Sequence, residues 1–274
     1  MFSYKEFSTS TELSEYIECY WVLKGYVDAE NNLQEVLVPG GRSEMIFTNS
    51  SVLWYGAHKN AVPLHFSSPL LLGQRKVATY LGLTGNIHLF GVRFKICSLP
   101  LFTKLPACLH SNNITPLSEI FDVINIPNVE DLPHIDETNN VNGIEKWLKD
   151  ILTNPPKEWF VLKDFINRFS VEEDTNDQIK KLSEENQWNY KKTERLFLKY
   201  TGFSPRTFIK LLRFRNTMES LGSKPQSFTK AALDLGFYDQ SHFIREFQNY
   251  TGKNPSSFYN NPPEMASLLY KISK

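Results

Sequence analysis

The chain repeats itself at a spacing of fifty residues. Arg195-Leu-Phe197-Leu-Lys-Tyr200-Thr201-Gly202-Phe-Ser-Pro205-Arg-Thr-Phe208 aligns with Arg245-Glu-Phe247-Gln-Asn-Tyr250-Thr251-Gly252-Lys-Asn-Pro255-Ser-Ser-Phe258, and seven of the fourteen positions are identical. Chance is a poor source of such agreement in one order, so the C-terminal part holds two copies of one unit. Stereochemistry dictates much of its shape. Glycine takes a positive φ at little cost, so Gly202 and Gly252 each end a helix. Ser204-Pro205 and Asn254-Pro255 then restart one, the polar residue as cap and proline at the first helical position.

At 100° per residue, the helix before each glycine has two faces. In the first copy Thr193, Leu196, Phe197 and Tyr200 share one face; Lys191, Glu194, Arg195 and Leu198 share the other. In the second copy Phe243, Phe247 and Tyr250 form the apolar face, opposite Ser241, Ile244, Arg245 and Gln248. Each helix thus has an anchoring side and a side of groups able to reach a base edge, with Arg195 and Arg245 in equivalent register. Arginine is the usual bidentate reader of guanine. A shorter helix is expected upstream of each, at Asp177–Glu184 and Ser227–Leu235, with Asn186-Gln-Trp188 and Gly236-Phe237 as the turns. Short helix, tight turn and second helix with a polar outer face spell helix-turn-helix. One long helix, Pro205–Leu221, joins the two copies.

Charge supports this reading. The chain of 274 residues has no net charge, yet residues 1–174 hold 14 Lys and Arg against 21 Asp and Glu, a balance of −7, and residues 175–274 hold 16 against 9, a balance of +7. Such asymmetry hints at an anionic partner for the basic part, although chance segregation accounts for it about as well.

The first ~110 residues follow a different pattern. Tyr20–Leu23, Val36–Val38, Met45–Thr48, Val52–Tyr55, Leu70–Leu72, Val77–Leu83 and Ile87–Phe94 are short apolar or alternating runs separated by Gly and Pro. They predict an antiparallel barrel or sandwich. A short helix is expected within Thr9–Tyr20 and another within Leu99–Leu109; Ile144–Leu152 and Glu158–Phe169 have helical spacing, and Glu172-Glu173-Asp174 is expected to be a linker. The fold class is therefore α+β: a β-rich barrel or sandwich domain over 1–140, a helical connector over 141–174, and an all-α double helix-turn-helix domain over 175–262.

The string from Ala231-Ala-Leu-Asp-Leu-Gly-Phe through Gln240-Ser241-His242-Phe-Ile-Arg245 to Lys253-Asn-Pro255 resembles the signature of AraC/XylS-type transcription regulators. The resemblance covers about residues 175–260. It implies a double-stranded DNA partner, with both second helices entering successive major-groove segments on one face of the duplex. Carried over residue by residue, Lys191, Glu194 and Arg195 read bases from the first helix and Gln240, Ser241 and Arg245 from the second. Lys192, like Lys191, is also placed to contact phosphate, and His242 stands beside the reading face with base contact, phosphate contact and solvation all open. The first copy departs from the family: Asn186-Gln187 stands where glycine is usual, and Thr193 where an apolar residue is usual. More weakly, Tyr20-Trp21, Val38-Pro39-Gly40-Gly41-Arg42-Ser43-Glu-Met-Ile-Phe, Leu72-Gly73-Gln74 and Gly91-Val-Arg93-Phe94 resemble a sensor-like domain found in the same family. That implies a module for dimerisation or for a small-molecule effector, and RNA polymerase as a partner if the protein activates.

Other chemistry finds little footing. Arg42 and Arg93 either line an anion pocket or form structural ion pairs, for instance with Glu44 or Glu35. The six histidines show no metal-binding spacing, and no nucleophile triad or paired-carboxylate motif appears, so neither metal nor cofactor is expected. Cys19, Cys97 and Cys108 are expected to be buried inert thiols in a reducing cytoplasm. No apolar run reaches the ~18 residues that span a bilayer. The alternatives are an enzyme or ligand carrier whose barrel does the chemistry, or an adaptor that docks proteins on its helical repeat.

Overall fold

The computed structural model describes residues 2–28, 33–48, 50–58, 60–127, 141–170, 173–221, 228 and 239–261. Among the described residues, nine strands precede the main helices. They are β1 (Ser3–Phe7), β2 (Ile17–Val27), β3 (Leu33–Leu37), β4 (Glu44–Thr48), β5 (Ser51–Gly56), β6 (Leu64–Phe66), β7 (Leu70–Leu72), β8 (Thr79–Phe94) and β9 (Ile114–Pro116). The organiser is β8, which serves two sheets. Its C-terminal half pairs with β2 and β4 in the order β1-β2-β8-β4-β7-β9, and its N-terminal half pairs with β3 and β5, which carries β6. The β-rich part is thus a bent, open arrangement around one long strand, with edges at β1 and β9 in one sheet and at β3 and β6 in the other among the described residues.

Two expectations change here. Val77–Leu83 and Ile87–Phe94 are one strand, not two. Gly82 pairs with Gln34 and Leu53 inside the ladder, and Gly85, at φ +72°, bends the strand without ending it. Neighbours on both sides hold the backbone through glycines that would otherwise break it. Thr9–Tyr20 is not a helix: it makes turns around Ser10 and Leu13, then enters β2 at Ile17. The run Ile17–Leu23 is rich in β-branched and aromatic residues, and pairing with β8 outweighs the weak helical signal.

The helices are α1 (Leu99–Thr103), α2 (Val141–Ile151), α3 (Lys157–Arg168), α4 (Thr175–Glu185), α5 (Tyr190–Thr201), α6 (Pro205–Leu221), α7 (Gln240–Thr251) and α8 (Pro255–Asn260). Leu99–Leu109 splits: α1 ends at Lys104 in a left-handed conformation, and a 3₁₀ turn follows at Ala107–Leu109. Asp174, read as linker, caps α4 by accepting from the Asn176 and Asp177 amides. Ser227–Leu235 and Gly236-Phe237 lie outside the described residues except for Phe228, whose ring stacks on Phe243.

One apolar core joins the two parts. Tyr20, Phe47, Phe90 and Phe94 from the sheet are continuous with Leu148 and Trp159 from α2 and α3, and with Phe197, Phe208 and Phe247 from the helical repeat. Polar contacts reinforce it. The Trp159 indole N–H donates to Cys97 O at 3.1 Å, and Glu145 accepts from the Ser10 amide and the Tyr20 hydroxyl. Aromatic bulk at the centre is therefore spent on packing.

Three of the strings that resemble a sensor-like domain converge. Trp21 lies opposite Gly91 and Glu44 opposite Arg93 in the ladders. A Cβ on Gly91 would fall inside the indole of Trp21, which is itself buried. Gly91→Ala is expected to cost about 1–3 kcal/mol through overpacking, read as a lowered urea midpoint at unchanged m-value. An unchanged midpoint would show that the Trp21 ring can move aside.

Candidate nucleic-acid interface

Both glycine stops take the predicted form. Gly202 has φ +82° and donates its N–H to Leu198 O; Gly252 has φ +72° and donates to Gln248 O. The repeated threonine has a matching role. Thr201 Oγ1 donates to Phe197 O and Thr251 Oγ1 to Phe247 O, both at 2.8 Å, and each hydroxyl also accepts from the amide two residues on. Threonine and glycine together thus close the helix in each copy. Behind them Phe197 packs edge-on against Phe208 and Phe247 against Phe258, all four fully buried.

The N-termini are equivalent too. Asn189 caps α5 by accepting from the Lys192 amide, and Asp239 caps α7 by accepting from the His242 amide. Each side chain satisfies one of the free N–H groups of its first turn. In the first copy the two departures from the family pattern have physical answers. Gln187 itself adopts the left-handed conformation, at φ +54°. Thr193 is fully buried, with its hydroxyl 2.9 Å from Ser183 Oγ on α4. A hydrogen bond between the paired helices replaces an apolar contact, so the first unit is seated.

The outward faces fall where the periodicity puts them. On α5, Lys191 and Arg195 are exposed, Glu194 and Leu198 half-buried, and Thr193, Leu196, Phe197 and Tyr200 buried. On α7, Gln240, Ser241, Arg245 and Gln248 are exposed, His242 and Ile244 half-buried, and Phe243, Phe247 and Tyr250 buried. Among the described residues, Arg195 and Arg245 make no ion pair or hydrogen bond through their guanidinium groups. Lys192 stands apart. It pairs with Glu158 on α3 at 3.3 Å and lies over the Trp188 ring at 5.3 Å. His242 Nε2 lies 3.9 Å from Glu246, which Lys210 of α6 also approaches at 3.8 Å. Tyr190, the first residue of α5, is also exposed. An aromatic residue is assigned by pattern to a core, which is why composition passed over it.

The joining helix α6 spans 17 residues, about 25 Å at 1.5 Å per residue. Its apolar face, with Phe208, Leu211, Leu212, Phe214 and Met218, is buried. The β-rich part touches the end of each outward helix. Ser111 Oγ donates toward Gly202 O at 3.0 Å, and the Tyr80 hydroxyl lies against Gly252.

The two arginines singled out near the N-terminus part ways. Arg93 forms structural ion pairs, with Glu44 at 2.7 Å and Glu6 at 2.8 Å. Arg42 pairs with Glu18 at 2.6 Å and reaches Glu219 of α6 at 3.3 Å, on the wall of a cleft. The cysteines are not uniform. Cys97 is buried, and burial pushes its thiol up. Cys19 sits 3.4 Å from Arg93, yet burial outweighs that charge and pushes it up to about 12. Cys108 is exposed on the outer side of a 3₁₀ turn, contrary to expectation. Among the described residues, no group of three His, Cys, Asp or Glu side chains is placed to hold a metal, and no helix is long and apolar enough to cross a membrane.

Comparison with known families places a helix-turn-helix domain at residues 182–261 and a domain of unknown function, DUF6597, at residues 5–115. An uncharacterized HTH-type transcriptional regulator of Haemophilus influenzae is 31% identical over 64 residues, which are 23% of this chain and 22% of that protein. The chain thus spans about a fifth of the length of the curated relative it matches. Among solved structures, an apo lysine-to-alanine variant of ToxT from Vibrio cholerae strain SCE256 is 13% identical, with a TM-score of 0.48, covering 93% of this chain and 98% of that one. ToxT from Vibrio cholerae O395 is also 13% identical, with a TM-score of 0.40 over 83% of this chain and 96% of that one.

Proposed function

We propose that this chain, whose residues 182–261 form a helix-turn-helix domain of the AraC/XylS type, is a sequence-specific DNA-binding transcription regulator. One observation carries the reading. Two helices share capping, glycine stop and buried phenylalanine, and each presents an exposed arginine at the equivalent place. Arg195 and Arg245 read base edges, with Lys191, Glu194, Gln240 and Ser241 beside them. Tyr190 adds an exposed ring at the N-terminal end of the first face. Lys192 has a second partner in Glu158, so its part is to position, and His242 flanks the second face. Bases specify and phosphates position. The joining helix α6 sets the distance between the two readers, and the β-rich part, seated on α6 and on both helix ends, biases their geometry. The domain organisation we assign is a regulatory 1–140, a connector 141–174 and a reader 175–262, with a small-molecule effector or a second copy acting through the first.

Selection of bound duplexes from a random pool by the full chain tests this. The expected product is a site with two half-sites about one helical turn, ~34 Å, apart. Its affinity is expected to fall with salt, by about −0.9 in log–log slope per phosphate contacted. Lys192→Ala, which removes the positioning group, should flatten that slope by about one without changing the preferred sequence. A pool that returns no consensus, or binding indifferent to salt, would fit a protein-docking adaptor or an enzyme with an accessory helical part instead.

A further inference from the structure

We propose that the cleft where the sheet, α3 and α6 meet binds a small polyhydroxylated anion, a sugar phosphate or sugar acid. The cleft encloses about 670 Å³, within the size range of small-molecule sites. It lies at the junction of three units: Arg42 and Lys95 come from the β-rich part, Lys163 and Asn167 from α3, and Arg215 and Asn216 from α6.

The charges indicate the ligand's sign. Lys163 pairs with Glu15, and Arg42 with Glu18. Glu219 accepts from Arg215 at 2.8 Å and from Arg42 at 3.3 Å through the same oxygen, so one carboxylate serves two guanidinium groups. Lys95 makes no ion pair or side-chain hydrogen bond among the described residues. Four cations thus face three carboxylates, and an anionic group entering the cleft would meet a shared guanidinium fork and the ammonium of Lys95, which is near Glu15 but held in no ion pair. The remaining groups indicate the ligand's body. Asn167 and Asn216 offer amides that both donate and accept, Glu15 and Glu18 offer acceptors, and Ile96, Ile166, Phe169 and Leu212 add an apolar side on which the C–H face of a sugar can lie. Hydroxyl groups satisfy the polar members of that set, which a purely apolar chain would leave unpaired at a cost. A ligand held there would bridge the β-rich part to α6, whose orientation sets the two readers; that last step rests on the regulator reading.

Calorimetric titration of the full chain with sorbitol phosphate, gluconate, sorbitol and octanoate tests the site. At least one of the two polyol anions is expected to bind with Kd of about 1 mM or tighter. Which of them binds more tightly tells phosphate from carboxylate. Sorbitol and octanoate are expected to bind about tenfold more weakly or not at all. Lys95→Glu, an exposed position, and Arg215→Gln should each weaken the anion about tenfold while the circular-dichroism melt stays cooperative. The proposal is overturned if neither anion binds, if both variants bind it unchanged, or if octanoate or sorbitol binds as tightly. A DNA titration with and without the anion separates the two readings. A change of about fivefold or more in DNA affinity supports both. Lys95-dependent anion binding by a chain that selects no DNA upholds the site and removes the regulator.

Discussion

Arg93→Ala is expected to lower the unfolding free energy by about 3–5 kcal/mol, the usual cost of removing one partner from a buried ion pair. Arg93 lies on β8 between β2, where it faces Cys19, and β4, where it faces Glu44. Its guanidinium is almost wholly buried. Nε donates to Glu44 at 2.7 Å, Nη1 to Glu6 at 2.8 Å and Nη2 to the Tyr4 hydroxyl at 3.2 Å. One side chain therefore ties four strands together. Without it the Glu44 carboxylate, only 11% exposed, is left with no cation in a site water barely reaches. Arg93→Lys should recover only part of the loss, because one ammonium cannot copy a planar fork. Replacing both partners, Arg93→Met with Glu44→Leu, should cost far less than Arg93→Ala, since the buried carboxylate is then gone as well and Glu6, 44% exposed, can turn to water. Chemical denaturation of the three variants gives the ordering, and Arg93→Ala within 1 kcal/mol of wild type would mean that the pair behaves as a solvated surface bridge.

The same cluster fixes a pH dependence. Burial pushes the Glu6 carboxyl up, but hydrogen bonds from Tyr4 and Arg93 and the Arg93 charge together hold it below the usual carboxylate range. A carboxyl whose folded-state value is depressed adds stability above its unfolded value and loses it as pH falls through the folded one. Acid unfolding of the wild type should therefore be steeper than that of Arg93→Ala, in which the Arg93 part of this contribution is already absent.

How far these features could be read from residues alone depends on the range of the forces involved. The helical repeat was legible because its determinants are local. Gly202 needs its positive φ whatever surrounds it, and Arg195 faces outward because Phe197 and Tyr200, two and five residues on, must face inward. Strand boundaries in the β-rich part were less so. Gly82 and Gly85 look like breaks until pairing with β3, β5 and β2 holds them in line. β1, with the sequence Ser-Tyr-Lys-Glu-Phe, is a polar edge that no apolar run announces. Arg93 and Glu44 could be suspected of pairing, but Arg42 could not be assigned. Its partners lie 24 and 177 positions away, and no spacing rule reaches from a turn in the sheet to the joining helix. Whatever places the sheet on α6 was beyond a reading that works one turn or one hairpin at a time.

The double variant Arg195→Ala/Arg245→Ala is expected to lose about 2–6 kcal/mol of affinity for the selected site, roughly thirtyfold to more than ten-thousandfold in Kd. A bidentate arginine on guanine discriminates by about 1–3 kcal/mol, and the two side chains lie on separate helices with no shared partner, so their losses should add. Both are exposed and held by no ion pair or hydrogen bond among the described residues, so neither truncation should disturb the core, where Phe197 and Phe247 are fully buried. An intact melting transition therefore separates loss of contact from loss of fold. The conservative pair, Arg195→Lys/Arg245→Lys, sharpens the test. It keeps both charges and so should keep the salt slope, yet it gives up the planar fork and should flatten the preference for one base at each half-site. Each single variant should relax one half-site and leave the other intact, since the joining helix separates them. Anisotropy titrations on duplexes mutated at one half-site at a time would show this. Equal losses at both half-sites from Arg245→Ala alone would mean that the helices do not read separate segments, and an unchanged Kd in the double variant would mean that neither arginine meets a base.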